Sequence, residues 1–147
     1  RAKDTSSTLG MNHTAATSPY FAPFVAAAPL DLLAATQAIK ARDLTRLGEV
    51  AERSALRMHA SAMAADPGVI YLRGSTLEGL HAVRALRQRG VAAFFTCDAG
   101  PHPKALTTAA DADAVAAALA AVPGVQRTLI ARPGEGARVL PLSPEPA

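Results

Sequence analysis

Apolar residues recur at three- and four-residue steps from Leu44 through Leu47, Ala51, Ala55, Met58 and Ala62 to Ala65. This stripe predicts the longest helix of the chain. Asp43 is placed to cap its start and Asp66-Pro67-Gly68 to end it, while Glu49 and Arg53, four apart, predict a weak surface pair on its flank. Upstream, residues 3–17 are rich in Ser and Thr, contain Gly10 and read as a loop. Ser18 and Pro19 read as the cap and first position of a short helix carrying Tyr20, Phe21, Phe24 and Val25. Pro29 interrupts it, and a second helix follows over residues 30–40. Downstream, residues 69–72 read as a short extended piece, and Ser75 with Glu78 as a capping box for a helix bearing Leu77, Leu80, Val83 and Leu86. Gly90 stops that helix. Strands are predicted over 91–97 and 104–108, flanking a tight connection from Asp98 to Pro103. An alanine-rich helix over 111–122, a strand over 125–131, a turn at Pro133-Gly134 and a closing strand over 137–142 complete the pattern.

Most neighbouring strands are joined by turns or a single helix. This favours an α+β fold, an antiparallel sheet of three to four strands packed against a cluster of helices. The expected organisation is one domain over residues 1–142 and a loose tail over 143–147.

Composition narrows the function classes. A chain of 147 residues, 50% apolar and 18% charged, fits one globular domain with a real core. The net charge of +3 suits an anionic small molecule and is too diffuse for nucleic acid. Cys97 is the one cysteine, so no internal disulfide can form; a reducing, cytoplasmic setting and a buried, inert thiol are expected. No apolar run is expected to reach membrane-spanning length, and no signal peptide is recognisable. The opening Arg1-Ala2-Lys3-Asp4 lacks a methionine and reads as a fragment.

The candidate chemistry centres on Asp98, where an apolar strand delivers a carboxylate onto Gly100-Pro101. A strand end is a rigid mount for an acid or base, yet Asp and Gly are also ordinary turn residues, and local chemistry alone favours the turn. Ser6-Ser7-Thr8 could offer hydroxyls and amides to phosphate oxygens, although a polar terminus is the commoner meaning of such a run. His59 falls near the apolar stripe and reads as a buried, hydrogen-bonded histidine before it reads as a catalyst. One cysteine and four scattered histidines supply no zinc ligand set.

Four stretches, in order, resemble the carboxyl-terminal half of the diphosphomevalonate decarboxylases, members of the GHMP kinase superfamily. They are Lys3-Asp4-Thr5-Ser6-Ser7-Thr8-Leu9-Gly10-Met11 with Thr17-Ser18; Asp43-Leu44 with Leu47-Gly48-Glu49; Leu56-Arg57-Met58-His59-Ala60; and Phe95-Thr96-Cys97-Asp98-Ala99-Gly100-Pro101 with Lys104. The resemblance implies a ferredoxin-like domain. It also implies ATP- and Mg2+-dependent conversion of mevalonate 5-diphosphate to isopentenyl diphosphate in isoprenoid biosynthesis. It maps the essential aspartate onto Asp98 and phosphate or substrate contacts onto Ser7 and Thr8; Met58-His59 matches a family signature and is still read as packing near the site. The ATP-holding loop belongs to the family's amino-terminal half, so the fragment alone is expected to be inactive. The partner expected is a small-molecule substrate, with no nucleic acid and no membrane, and a homodimer is compatible with it. Three departures stand out: Asp4 replaces a second lysine, Thr8 an arginine of some bacterial members, and His102 an asparagine. The alternatives are a kinase-only or phosphomevalonate-decarboxylating relative, and a non-catalytic ligand-binding or dimerisation module.

Overall fold

In the computed structural model, which describes residues 5–139, the Ser/Thr-rich opening is a helix and not a loop. Helix α1 (Ser7–Thr17) is capped by Ser6, whose Oγ accepts the Leu9 amide at 3.2 Å. Its sequence carries no apolar repeat, but Thr14 and Thr17 turn their hydroxyls back onto the carbonyls of Gly10 and His13, at 2.7 and 2.9 Å. Lys3 and Asp4 lie outside the described residues.

Ser18 closes α1, its Oγ accepting the Tyr20 amide, and α2 (Phe21–Ala41) begins beyond it. Pro29 does not divide this helix. Proline removes one amide from the ladder, and the following turn is held by buried Asp31. Its carboxylate accepts Arg53 at 2.9 and 3.0 Å and Arg57 at 2.8 Å, both from α3 (Leu44–Met63). Arg53 thus reaches across to α2, where sequence spacing had suggested Glu49. Contrary to expectation, α2 is long and apolar enough to cross a membrane by length and composition. Its paired Asp31 fixes it along α3 as a surface helix, with Leu30, Leu32, Leu33 and Ile39 exposed.

The chain reverses at Arg42, which adopts φ +55°, and Asp43 caps α3 as expected, accepting the Arg46 amide at 2.9 Å. Ala55, Ala62 and Ala65 of the predicted stripe are buried. Helix α4 (Gly74–Gln88) starts before Ser75, and Thr76 Oγ1 accepts the Arg73 amide at 3.2 Å, replacing the expected Ser75–Glu78 box. Gly90, at φ +89°, ends the α4 segment as expected.

Strands β1 (Ala93–Cys97) and β2 (Pro103–Thr107) pair antiparallel, with Thr96 opposite Lys104 and Cys97 opposite Pro103. Helix α5 (Ala112–Ala120) follows. Successive β1 side chains face opposite ways. Phe95 joins Leu80, Val83, Leu86, Ala93 and Val115 in the core, while the Phe94 ring fills the space that a Cβ on Gly48 of α3 would take. The α+β class and antiparallel sheet are as expected, but among the described residues the sheet has two strands, not three to four. Residues 125–131 alternate in sequence yet find no strand to pair with, and Leu129 and Ile130 are exposed. Residues 137–139 are likewise irregular; 140–142 and the tail 143–147 lie outside the described residues.

Candidate active site

The free edge of β1 is closed by side chains. In an antiparallel pair, alternate residues direct their backbone groups away from the partner strand. Here Arg87 Nη1 donates to the Ala93 carbonyl at 2.8 Å, the Phe95 amide donates to Glu52 at 3.1 Å, and His59 Nε2 lies 3.2 Å from the Cys97 carbonyl. The strand is therefore fixed along its length up to the residue before Asp98.

Asp98 itself is exposed and pairs with the Lys104 ammonium, brought from the far arm of the hairpin by the register of β2. A cleft of about 380 Å³ opens beside the pair, walled by Ser7, Asp98, Ala99, Gly100, His102 and Lys104. Ser7 is the first residue of α1, so the cleft receives the amide-rich positive end of a helix together with a hydroxyl. Two of the three expected site residues, Asp98 and Ser7, thus meet in one cleft. Thr8 is exposed in the same first turn but does not form its wall.

The loop carrying Asp98 is tied down from two sides. Thr76 Oγ1 donates to the Pro101 carbonyl at 2.8 Å, and the Cys97 thiol lies 3.4 Å from the Gly100 carbonyl. Burial first, and then the Asp98 charge, push the Cys97 thiol up to about 11, against a smaller opposing pull from Lys104. This is the inert thiol expected from the sequence. Burial also lowers the His59 pKa, against hydrogen bonds to the Cys97 and Asp98 backbone and the Asp98 charge. Burial thus favours the neutral imidazole, and Nε2, facing a carbonyl oxygen, is the donor.

The sequence sets Lys104 near Asp98 without showing the ion pair, and nothing in it marks Thr76 as the residue that holds the Pro101 carbonyl. The β1–β2 register could have revealed Lys104. Among the described residues no group of three His, Cys, Asp or Glu could hold a metal, so the cleft residues do not by themselves form a magnesium ligand set.

A family model for the "Mevalonate 5-diphosphate decarboxylase C-terminal domain" matches residues 1–137. The chain belongs to the mevalonate 5-diphosphate decarboxylase family. Relatives agree across this decarboxylase domain. A diphosphomevalonate decarboxylase of Candida albicans is 34% identical over 101 residues, covering 68% of this chain and 28% of the relative. The mevalonate diphosphate decarboxylase of Staphylococcus aureus superposes with a TM-score of 0.77 at 33% identity, covering 81% of this chain and 36% of that one. A further decarboxylase structure, described as MDDEF in complex with MVAPP, AMPPCP and magnesium, gives a TM-score of 0.77 at 35% identity over 81% of this chain and 36% of that one. The chain thus spans about a third of the length of its relatives.

Proposed function

We propose that this chain is the C-terminal part of an ATP-dependent decarboxylase converting mevalonate 5-diphosphate to isopentenyl diphosphate, with Asp98 as its catalytic carboxylate. The observation that carries this reading is the single cleft shared by Asp98, Lys104 and Ser7 at the start of α1. Asp98 orients the tertiary hydroxyl and accepts its proton as that oxygen attacks the γ-phosphorus of ATP, and ADP departs with the electron pair of the broken P–O bond. The new phosphate then leaves with the C–O electron pair. Asp98 passes its proton to the departing phosphate, so a carboxylate again faces the developing positive charge at the tertiary carbon, and electrons from the breaking C–C bond form the alkene as carbon dioxide departs.

Ser7 and the first amides of α1 face the phosphate oxygens, with Thr8 in a supporting position at the outer edge of the turn. The exposed Asp98–Lys104 pair holds weakly, since such pairs are worth about 0.2–1 kcal/mol. An arriving phosphate can therefore draw Lys104 away and free the carboxylate. ATP and Mg2+ would be held mainly by the family's other half, because this chain lacks a ligand set of its own among the described residues. We assign residues 1–142 to this one domain and 143–147 to its tail, in a cytoplasmic enzyme with no nucleic-acid or membrane partner. The exposed leucines of α2 support a homodimer.

The test supplies ATP and mevalonate 5-diphosphate to this domain joined to a nucleotide-binding half. Phosphate and carbon dioxide released in equal amounts are expected. Phosphorylated substrate accumulating without carbon dioxide identifies a kinase-only relative instead.

A further inference from the structure

We propose that His59 and Tyr71 are positioning residues that tie the strand end bearing Asp98 to the helix end bearing Ser7, and so fix the spacing on which the reaction depends. This rests on the reading of the cleft given above. The two sides of the cleft come from elements far apart in sequence, β1 and α1, and both are anchored on one buried pair of rings. The His59 ring is 2% exposed and holds the Cys97 carbonyl through Nε2. Tyr71 is 6% exposed and meets that ring edge-on, with centroids 6.2 Å apart and planes at 71°. Its hydroxyl donates to the carbonyl of Ser6, the cap of α1, at 3.4 Å, and occupies the space that a Cβ on Gly10 would take.

The start of α1 therefore rests on the tip of Tyr71, Tyr71 on His59, and His59 on the last residue of β1. Neither ring is among the walls of the cleft, so both act through the residues they hold. Their effect is on alignment. A reacting pair misplaced by about 1 Å loses on the order of 100-fold in rate even when substrate still binds. Loss of the tie should accordingly lower kcat more than it raises KM.

The experiment uses this domain in the assembled decarboxylase and compares His59→Leu, His59→Gln, Tyr71→Phe and Asp98→Asn, reading kcat and KM separately beside a circular dichroism spectrum. His59→Leu should lower kcat about 10- to 100-fold with KM changed less than about threefold. His59→Gln, which keeps an N–H donor, should recover most of the loss. Tyr71→Phe, which keeps the ring but loses the tip, should lower kcat about fivefold. If His59→Leu does not fold, the Tyr71→Phe value decides. Folded His59→Leu or Tyr71→Phe variants with wild-type kcat overturn the tie, provided that Asp98→Asn is inactive. An active Asp98→Asn enzyme would instead overturn the reading of the cleft itself.

Discussion

Glu52 of α3 accepts both terminal nitrogens of Arg87 of α4, at 2.6 and 3.1 Å, and the same carboxylate accepts the Phe95 amide of β1. One buried acid thus joins two helices to the edge of the strand that carries Asp98. Arg87 completes the arrangement by lying over the Phe94 ring, 4.7 Å from its centroid. Removing the acid leaves the Phe95 amide without its acceptor and the partly buried Arg87 guanidinium without a counter-charge, hydrogen-bonded to the Ala93 carbonyl alone. Glu52→Ala should therefore destabilise the chain by about 3 kcal/mol in urea unfolding. A change below about 1 kcal/mol would show that the strand edge is held by other means.

The contact between Gly10 and Tyr71 is a matter of space. Because the Tyr71 hydroxyl stands where a Cβ would be, Gly10→Ala must displace either the ring or the helix, at a cost of about 1–3 kcal/mol. Removing the hydroxyl relieves most of the overlap. Gly10→Ala combined with Tyr71→Phe should consequently be less destabilised than the sum of the two single changes. Thermal melts of the four proteins measure this, and strict additivity would place the two residues out of contact.

His59 gives the fold an acid-sensitive point. Burial lowers its folded pKa below the ordinary value of 6.5, so its contribution to stability is complete above that value. The contribution is lost as pH falls from there through the folded pKa, because the unfolded chain then binds the extra proton. The groups facing it are Asp98, Cys97 and Tyr71. Urea unfolding of wild type and His59→Gln at pH 7.5 and pH 5 should show wild type losing more stability on acidification. Equal losses would contradict a buried neutral imidazole.

Cys97 should be inert. With its thiol pushed up to about 11 from 9.0, its thiolate fraction at pH 8 is on the order of 100-fold below that of a free cysteine. Alkylation by iodoacetamide should be at least that much slower in the folded chain than in urea. The raised pKa also means that stability present below pH 9 is lost as pH rises toward 11. Comparable rates in folded and unfolded protein would place the thiol in solvent.

What the sequence could reveal followed the range of the forces involved. The α3 stripe, the Asp43 cap, Gly90 and the β1–β2 hairpin are local signals, and each lies within a residue or two of where it was expected. The start of the chain reads as a loop because the hydroxyls of α1 are satisfied by carbonyls one turn back, a helix-compatible arrangement that leaves no apolar period. Pro29 reads as a break because what opposes it, the grip of Arg53 and Arg57 on Asp31, comes from another helix. Residues 125–131 carry strand-like alternation, but a strand also needs a partner, which sequence periodicity does not report. The candidate site divides in the same way. Family motifs single out Asp98 and Ser7 as candidates, and the fold brings both to one cleft, whereas Lys104 as the partner of Asp98, and Tyr71 beneath Ser6, depend on the register and packing that only the folded chain provides.

The most direct measurement is the steady-state release of carbon dioxide from mevalonate 5-diphosphate by the assembled decarboxylase carrying this domain, as wild type and as Asp98→Asn. Exposed Asp98 contributes little to packing, so the variant should unfold at the same urea concentration while kcat falls by about 1,000-fold or more. A folded Asp98→Asn enzyme that releases carbon dioxide within a few-fold of wild type would remove Asp98 from the mechanism and the cleft from the account of catalysis.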